Sequence, residues 1–66
     1  MEEELLAVQR QGSLAHASGR SVLDNPFFRF QALPTQTGEL VLAWEAKCDA
    51  WELGWRLSDI KGREKR

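Results

Sequence analysis

The chain has 66 residues, nine of them lysine or arginine and ten acidic, for a net charge of −1. That balance argues against a protein that lives by phosphate contacts, which needs a large basic excess. With one cysteine an internal disulfide is impossible, and one cysteine with one histidine falls short of the soft-ligand set of a structural zinc site.

The first predicted element is a helix over residues 2–18. Glu2, Glu3 and Glu4 suit the positive end of a helix dipole. Leu5, Val8, Gly12 and Ala15 step along one face at spacings of three and four. Gly19 reads as the residue that ends the helix.

A connector over residues 19–38 comes next. Asp24, Asn25 and Pro26 form a strong turn signal, and the residue before a proline is pushed out of the helical region, so Asn25 is expected to be extended. Phe27, Phe28 and Phe30 come directly after it. A solvated loop does not carry three phenylalanines, so this segment is expected to fold back over the core. Thr35 or Thr37 is placed to cap the second helix.

That second helix is predicted over residues 39–59. Val41, Trp44, Cys48, Trp51 and Trp55 recur at helical spacing as one apolar seam. Glu52 and Arg56 form a favourable four-residue pair off that seam. The expected fold is therefore all-α: a two-helix antiparallel hairpin, its aromatic-rich connecting segment folded onto the core. Residues 1–60 form one small helical domain. Residues 61–66, with Lys61, Arg63, Lys65 and Arg66, read as a disordered basic tail.

A single core is marginal at this length, so packing has to be good or shared with another molecule. Small residues Gly12, Ala15 and Gly19 on one helix suit large indoles Trp44, Trp51 and Trp55 on the other. Gly54 costs ~1 kcal/mol inside a helix. That cost is expected to make room for the Phe27–Phe30 segment or for the N-terminal helix. The expected core is Leu5, Val8, Gly12, Ala15, Gly19, Pro26, Phe27, Trp44, Cys48, Trp51, Gly54 and Trp55.

No apolar run approaches the roughly 20 residues that span a bilayer. The start, MEEELL, is the reverse of a basic secretory leader. The lone thiol fits a reducing compartment. A soluble, cytoplasmic protein without membrane association is expected.

Catalysis has little to stand on. There is no Walker-type glycine loop and no kinase signature. His16 lies at the edge of the first helix's apolar face without an evident base or nucleophile partner, so it reads as structural or solvated. Cys48 lies on the seam and reads as a small buried hydrophobe. No catalytic, cofactor or metal residue is assigned. For RNA or partner binding the candidates are Arg10, Arg20, Arg29, Arg56, Lys61, Arg63 and Lys65. Trp51 or Trp55 would be left partly exposed to stack on a base. The plainer readings are helix capping or solvation for the arginines and core packing for the indoles.

Three blocks carry a family resemblance. Gly12, Ala15 and the run Gly19-Arg20-Ser21, then Asn25-Pro26-Phe27, then Trp51-x-x-Gly54-Trp55-Arg56, resemble the small proteins of the ribosome modulation factor type, which include the CrpP-like proteins of plasmids and phages. The resemblance implies an all-helical fold of two helices and a connecting segment. For the first branch it implies binding to the small ribosomal subunit, and a part in forming inactive ribosome dimers in stationary phase. For the CrpP-like branch it implies an ATP-dependent modification of fluoroquinolones. Arg20 and Arg56 fall on the family pattern. Two features depart from it: the basic excess is missing, and Asn25 stands where the ribosome factor has a cysteine, so no thiol chemistry carries over. The expectation is a non-enzymatic binding protein, with the ribosome or rRNA as leading partner. The alternatives are a protein-interaction module or homodimer, and a CrpP-like drug-modifying protein.

Overall fold

The computed structural model describes residues 2–64. They form α1 (Glu2–Ala17), three short 3-10 turns within residues 22–32, α2 (Pro34–Thr37) and α3 (Val41–Glu64), with no strand among them. The all-α class and two long helices in contact are as expected. No helix among the described residues is long and apolar enough to cross a membrane.

α1 opens on three glutamates and closes in a Schellman turn. The Gly19 N–H donates to the His16 carbonyl at 3.0 Å and the Arg20 N–H to the Ala15 carbonyl at 2.9 Å. Gly19 sits at φ +84°, a conformation that glycine adopts without a Cβ penalty. Gly19 is exposed rather than part of the core. Its work is conformational.

α3 starts two residues later than expected, because Pro34–Thr37 forms its own turn that ends at Gly38 in the left-handed region. It also runs past Asp59 to Glu64. Residues 61–64, expected in a basic tail, are therefore helical. Nothing after Trp55 except Gly62 opposes the helix, the Asp59–Arg63 pair at 3.2 Å supports it, and basic side chains suit a helix C-terminus. Lys65 and Arg66, also placed in that tail, lie outside the described residues.

The relative direction of the helices corrects the antiparallel expectation. Lys47 on α3 pairs with Glu4 at 3.1 Å. Gly54 abuts Gln9, and Gly12 abuts Trp51 and Trp55. His16 reaches Ser58 and Asp59, both at 3.1 Å. The numbers rise together, so α1 and α3 run parallel. An antiparallel hairpin is the natural result of a loop of about two to five residues. Here the connector is long enough to return along the whole of α1 before α3 begins.

α3 holds that returning connector in the reverse order. The Trp55 Nε1–H donates to the Arg20 carbonyl at 2.8 Å, Asn25 Nδ2 donates to the Cys48 carbonyl at 3.1 Å, and the Trp44 Nε1–H donates to the Phe27 carbonyl at 2.8 Å. Two indoles thus act as polar clamps on the connector backbone. Lys47 fastens the other end, bridging Glu4 of α1 and Glu39 just before α3, with Glu39 at 2.9 Å. Hydrogen bonds donated to Glu39 and then to Glu4 hold its ammonium above the usual lysine range.

The glycines meet backbone rather than indole faces. A Cβ on Gly12 would run into the Trp51 carbonyl, and one on Gly54 into the Gln9 carbonyl. Of the two reasons expected for Gly54, close approach to the N-terminal helix is the one found. Val8, Cys48 and Trp51 are the buried hydrophobic residues, with Trp51 at 2 % exposure. Leu5, Ala15, Pro26, Phe27, Trp44 and Trp55 are partly buried. Val41, at the start of the expected seam, is exposed. The molecule is a slab, 44 × 23 × 13 Å across its principal axes.

Candidate functional site

The residues behind the family resemblance build the fold. Gly19 closes α1, and the carbonyl of Arg20 receives the Trp55 indole. Ser21 and Asp24 form a reciprocal capping box: the Ser21 hydroxyl accepts from the Leu23 N–H at 3.1 Å, and the Ser21 N–H donates to the Asp24 carboxylate at 2.9 Å. Asn25, at φ −54° and ψ 117°, lies outside the helical region without reaching the extended conformation expected, and it is 2 % exposed. Its Oδ1 accepts from the Phe27 N–H at 3.0 Å while its amide reaches Cys48. Sequence reasoning missed that second bond; the one signal available was an asparagine directly before Pro-Phe-Phe, in a segment expected to fold onto the core.

Trp51 is buried, so it is not a platform for a base. What little of it is exposed lines a small recess with Ala15, Arg20, Pro26 and Arg29. Trp55 is half-buried, bonded through its N–H and packed edge-on against the His16 ring at 4.8 Å between centroids.

His16 does have partners. Nδ1 lies 3.1 Å from Ser58 Oγ, and Nε2 lies 3.1 Å from Asp59 Oδ1. Asp59 Oδ2 takes the Arg63 guanidinium at 3.2 Å. These are the residue types of a nucleophile–base–acid set. But Ser58 and Asp59 are consecutive residues within α3, where the backbone N–H groups belong to the helix ladder and leave no donor pair for an oxyanion. The cluster ties the C-terminal part of α1 to α3. The expected antiparallel packing placed Ser58 and Asp59 at the far end from His16, which is why the cluster was not legible. Among the described residues no group of acidic, histidine and cysteine side chains could hold a metal ion.

The basic candidates are scattered. Arg20 and Arg29, both exposed, line a groove with Asp24 and Phe28 on the connector. Arg10 and Lys61 line another with Leu6, Ser13 and Leu57, between α1 and α3. Arg56 is paired to Glu52 at 3.0 Å and Arg63 to Asp59. Lys65 is outside the described residues.

A further feature, not anticipated from the sequence, is apolar. Beside the buried stripe of Trp44, Cys48, Trp51 and Trp55, α3 carries a second one. Leu42, Ala46, Ala50, Leu53, Leu57 and Ile60 recur at spacings of four, four, three, four and three. Leu42 is 78 % exposed, Leu53 49 %, Leu57 40 % and Ile60 50 %. Exposed Leu6 of α1 adjoins Leu57, and Leu5 adjoins Leu42, Ala43 and Ala46 in an apolar groove. The signal was present in the sequence as a second helical series, but the tryptophans had already assigned α3 a single buried face.

Cys48, between the connector and the helices, is 7 % exposed, and burial pushes its thiol above the ordinary range. Folding therefore favours the protonated thiol. The contribution is present below the thiol's ordinary pKa and is lost as pH rises through the folded value. Alkylation by iodoacetamide at pH 8 is expected to run at least about tenfold slower in the folded chain than in urea, since only the exposed thiolate reacts. Equal rates would place the thiol at the surface.

Fold and site together define a class: an all-α protein of two parallel helices strapped by a connector on their indole side, with an apolar face left open. Compared with protein-family models, curated proteins and solved structures, the chain gives no match.

Proposed function

We propose that this chain is a non-enzymatic helical binding protein, and that its working surface is the open apolar face of α1 and α3. The observation that carries this reading is the exposed series from Leu42 to Ile60. Single exposed leucines are ordinary on a soluble protein, but a contiguous stripe at core-like spacing marks an interaction site. A photo-crosslinking residue placed at Leu53 tests it. In cells that express the chain, position 53 is expected to give a protein adduct, while the same residue at exposed Gln31 on the connector gives none. No adduct at either Leu53 or Leu57 overturns the reading.

Association with the ribosome or rRNA, which the family resemblance implies, is the second reading. It is favoured by Arg20 and Arg29 lining one groove beside Phe28, which is 51 % exposed. Two guanidinium groups and an open ring are what a single-stranded RNA segment stacks on and pairs with. Co-sedimentation with ribosomes, steeply lost with added salt and abolished by Arg20→Glu with Arg29→Glu, is the expected result on that reading. The ATP-dependent drug modification implied by the other branch has no comparable supporting observation.

A further inference from the structure

We infer that the occupant of the open face is a second copy of this chain, docked so that the two α3 helices run antiparallel about a two-fold axis near Ala50 and Leu53. This rests on the reading that the open face is the working surface. Three observations point to a copy rather than a different partner.

The first is area. A compact monomer of 7.5 kDa is expected to expose about 4,250 Å². This chain exposes 5093 Å². The surplus, roughly 850 Å², is that of a flat slab over its whole surface, of which the open face of α1 and α3 is one part, and it is of the order of the ~800 Å² that each partner buries in an interface of standard size.

The second is self-complementarity of shape. An isologous contact requires that a patch fit its own image. Reversing the α3 stripe about a point between residues 51 and 52 sets Ala46 against Leu57 of the other copy, and Ala50 against Leu53. Both alanines of the stripe meet a leucine and Ile60 meets Ala43, the small-against-large alternation that lets helices pack closely, while Leu42 falls opposite Lys61 at the edge.

The third is charge. The first half of α3 carries Glu45, Asp49 and Glu52 with Lys47, and the second half Arg56, Lys61 and Arg63 with Asp59 and Glu64, so the first half is net acidic and the second net basic. The antiparallel register lays the net acidic half of one copy along the net basic half of the other, with Asp49 and Arg56 on the same side of the stripe and two residues from direct opposition. A parallel register would set like charges together. The same reversal opposes the dipoles that the parallel α1 and α3 add within one copy.

Sedimentation equilibrium of the full chain tests this. The expected mass is twice 7.5 kDa at micromolar concentrations. Arg56→Glu and Asp49→Arg are exposed changes that leave the apolar stripe intact. Each is expected to weaken self-association about tenfold at low salt, since both symmetry-related pairs become repulsive. Mixed together, the two variants are expected to form the heterodimer in preference to either homodimer, because every reversed charge then meets its opposite. A dimer whose stability ignores these charges overturns the antiparallel arrangement. A monomer up to about millimolar concentration overturns the second copy as occupant. The crosslink at Leu53 then separates the two proposals. An adduct of another mass removes only the second copy, whereas no adduct removes the open-face reading as well.

Discussion

Gly54→Ala is expected to destabilise the fold by about 2–4 kcal/mol, and Gly12→Ala by a similar amount. The sign is the informative part. In an ordinary helix interior, glycine to alanine gains about 1 kcal/mol. At these two positions the new methyl group meets a main-chain carbonyl of the other helix: Gln9 for residue 54 and Trp51 for residue 12. A carbonyl locked in a helix ladder cannot turn aside as a flexible side chain can. The helices must move apart instead, and overpacking of this kind costs roughly 1–3 kcal/mol even where a core can adjust. Separation also loosens the His16 cluster and the ring of Trp51. For a domain whose total stability is on the order of 3–5 kcal/mol, this is enough to unfold much of the population. Urea melts followed by circular dichroism measure it, with Gly62→Ala as control. A Cβ at residue 62 meets nothing, so that variant is expected to be as stable as the parent or up to about 1 kcal/mol more stable. A Gly54→Ala protein of undiminished stability would contradict the backbone contact.

The second large effect is at Asn25. Asn25→Ala is expected to cost about 2–3 kcal/mol, because it removes a buried cap and a buried bond to a helix carbonyl together. Asn25→Asp separates the two parts. A carboxylate still accepts from the Phe27 N–H, but it cannot donate to the Cys48 carbonyl and instead faces it with a negative charge. The aspartate variant is therefore expected to lose at least as much stability as the alanine variant near neutral pH. Thermal melts give the totals, and hydrogen exchange at the Phe27 N–H reports whether the connector has come away from α3. If Asn25→Asp behaves like the parent, the bond to Cys48 contributes nothing.

Both predictions concern features that a one-dimensional pattern conveys unevenly. The long helices, the Gly19 stop and the burial of Val8, Cys48 and Trp51 were legible, because a 3.6-residue period and a glycine after an apolar face act locally. The direction of the second helix was not. A helical period says which side of α3 is apolar, and is the same whichever way a neighbouring helix points. The connector's length was visible, but a compact loop and a return strap have similar composition. What distinguishes them are the indole N–H groups of Trp44 and Trp55, each of which finds a connector carbonyl. The partners of His16 followed from the same unknown. Placing α1 antiparallel separated His16 from Ser58 and Asp59, although all three residues were in plain view. The open face was hidden for another reason: the tryptophan seam is the stronger apolar series on α3, and it masks the weaker leucine series beside it on the same helix.

The parallel arrangement also governs how the chain reaches its native state. Each contact between the two long helices joins residues some forty positions apart, as His16 and Asp59 illustrate at a separation of 43. No local helix pair can form first and recruit the rest. The entropy of closing that large ring must be met before any interhelical contact rewards it. For so small a helical molecule the acquisition of structure is thus expected to be slow and all-or-none, nearer the pace of a mixed α/β domain than that of a simple helical hairpin.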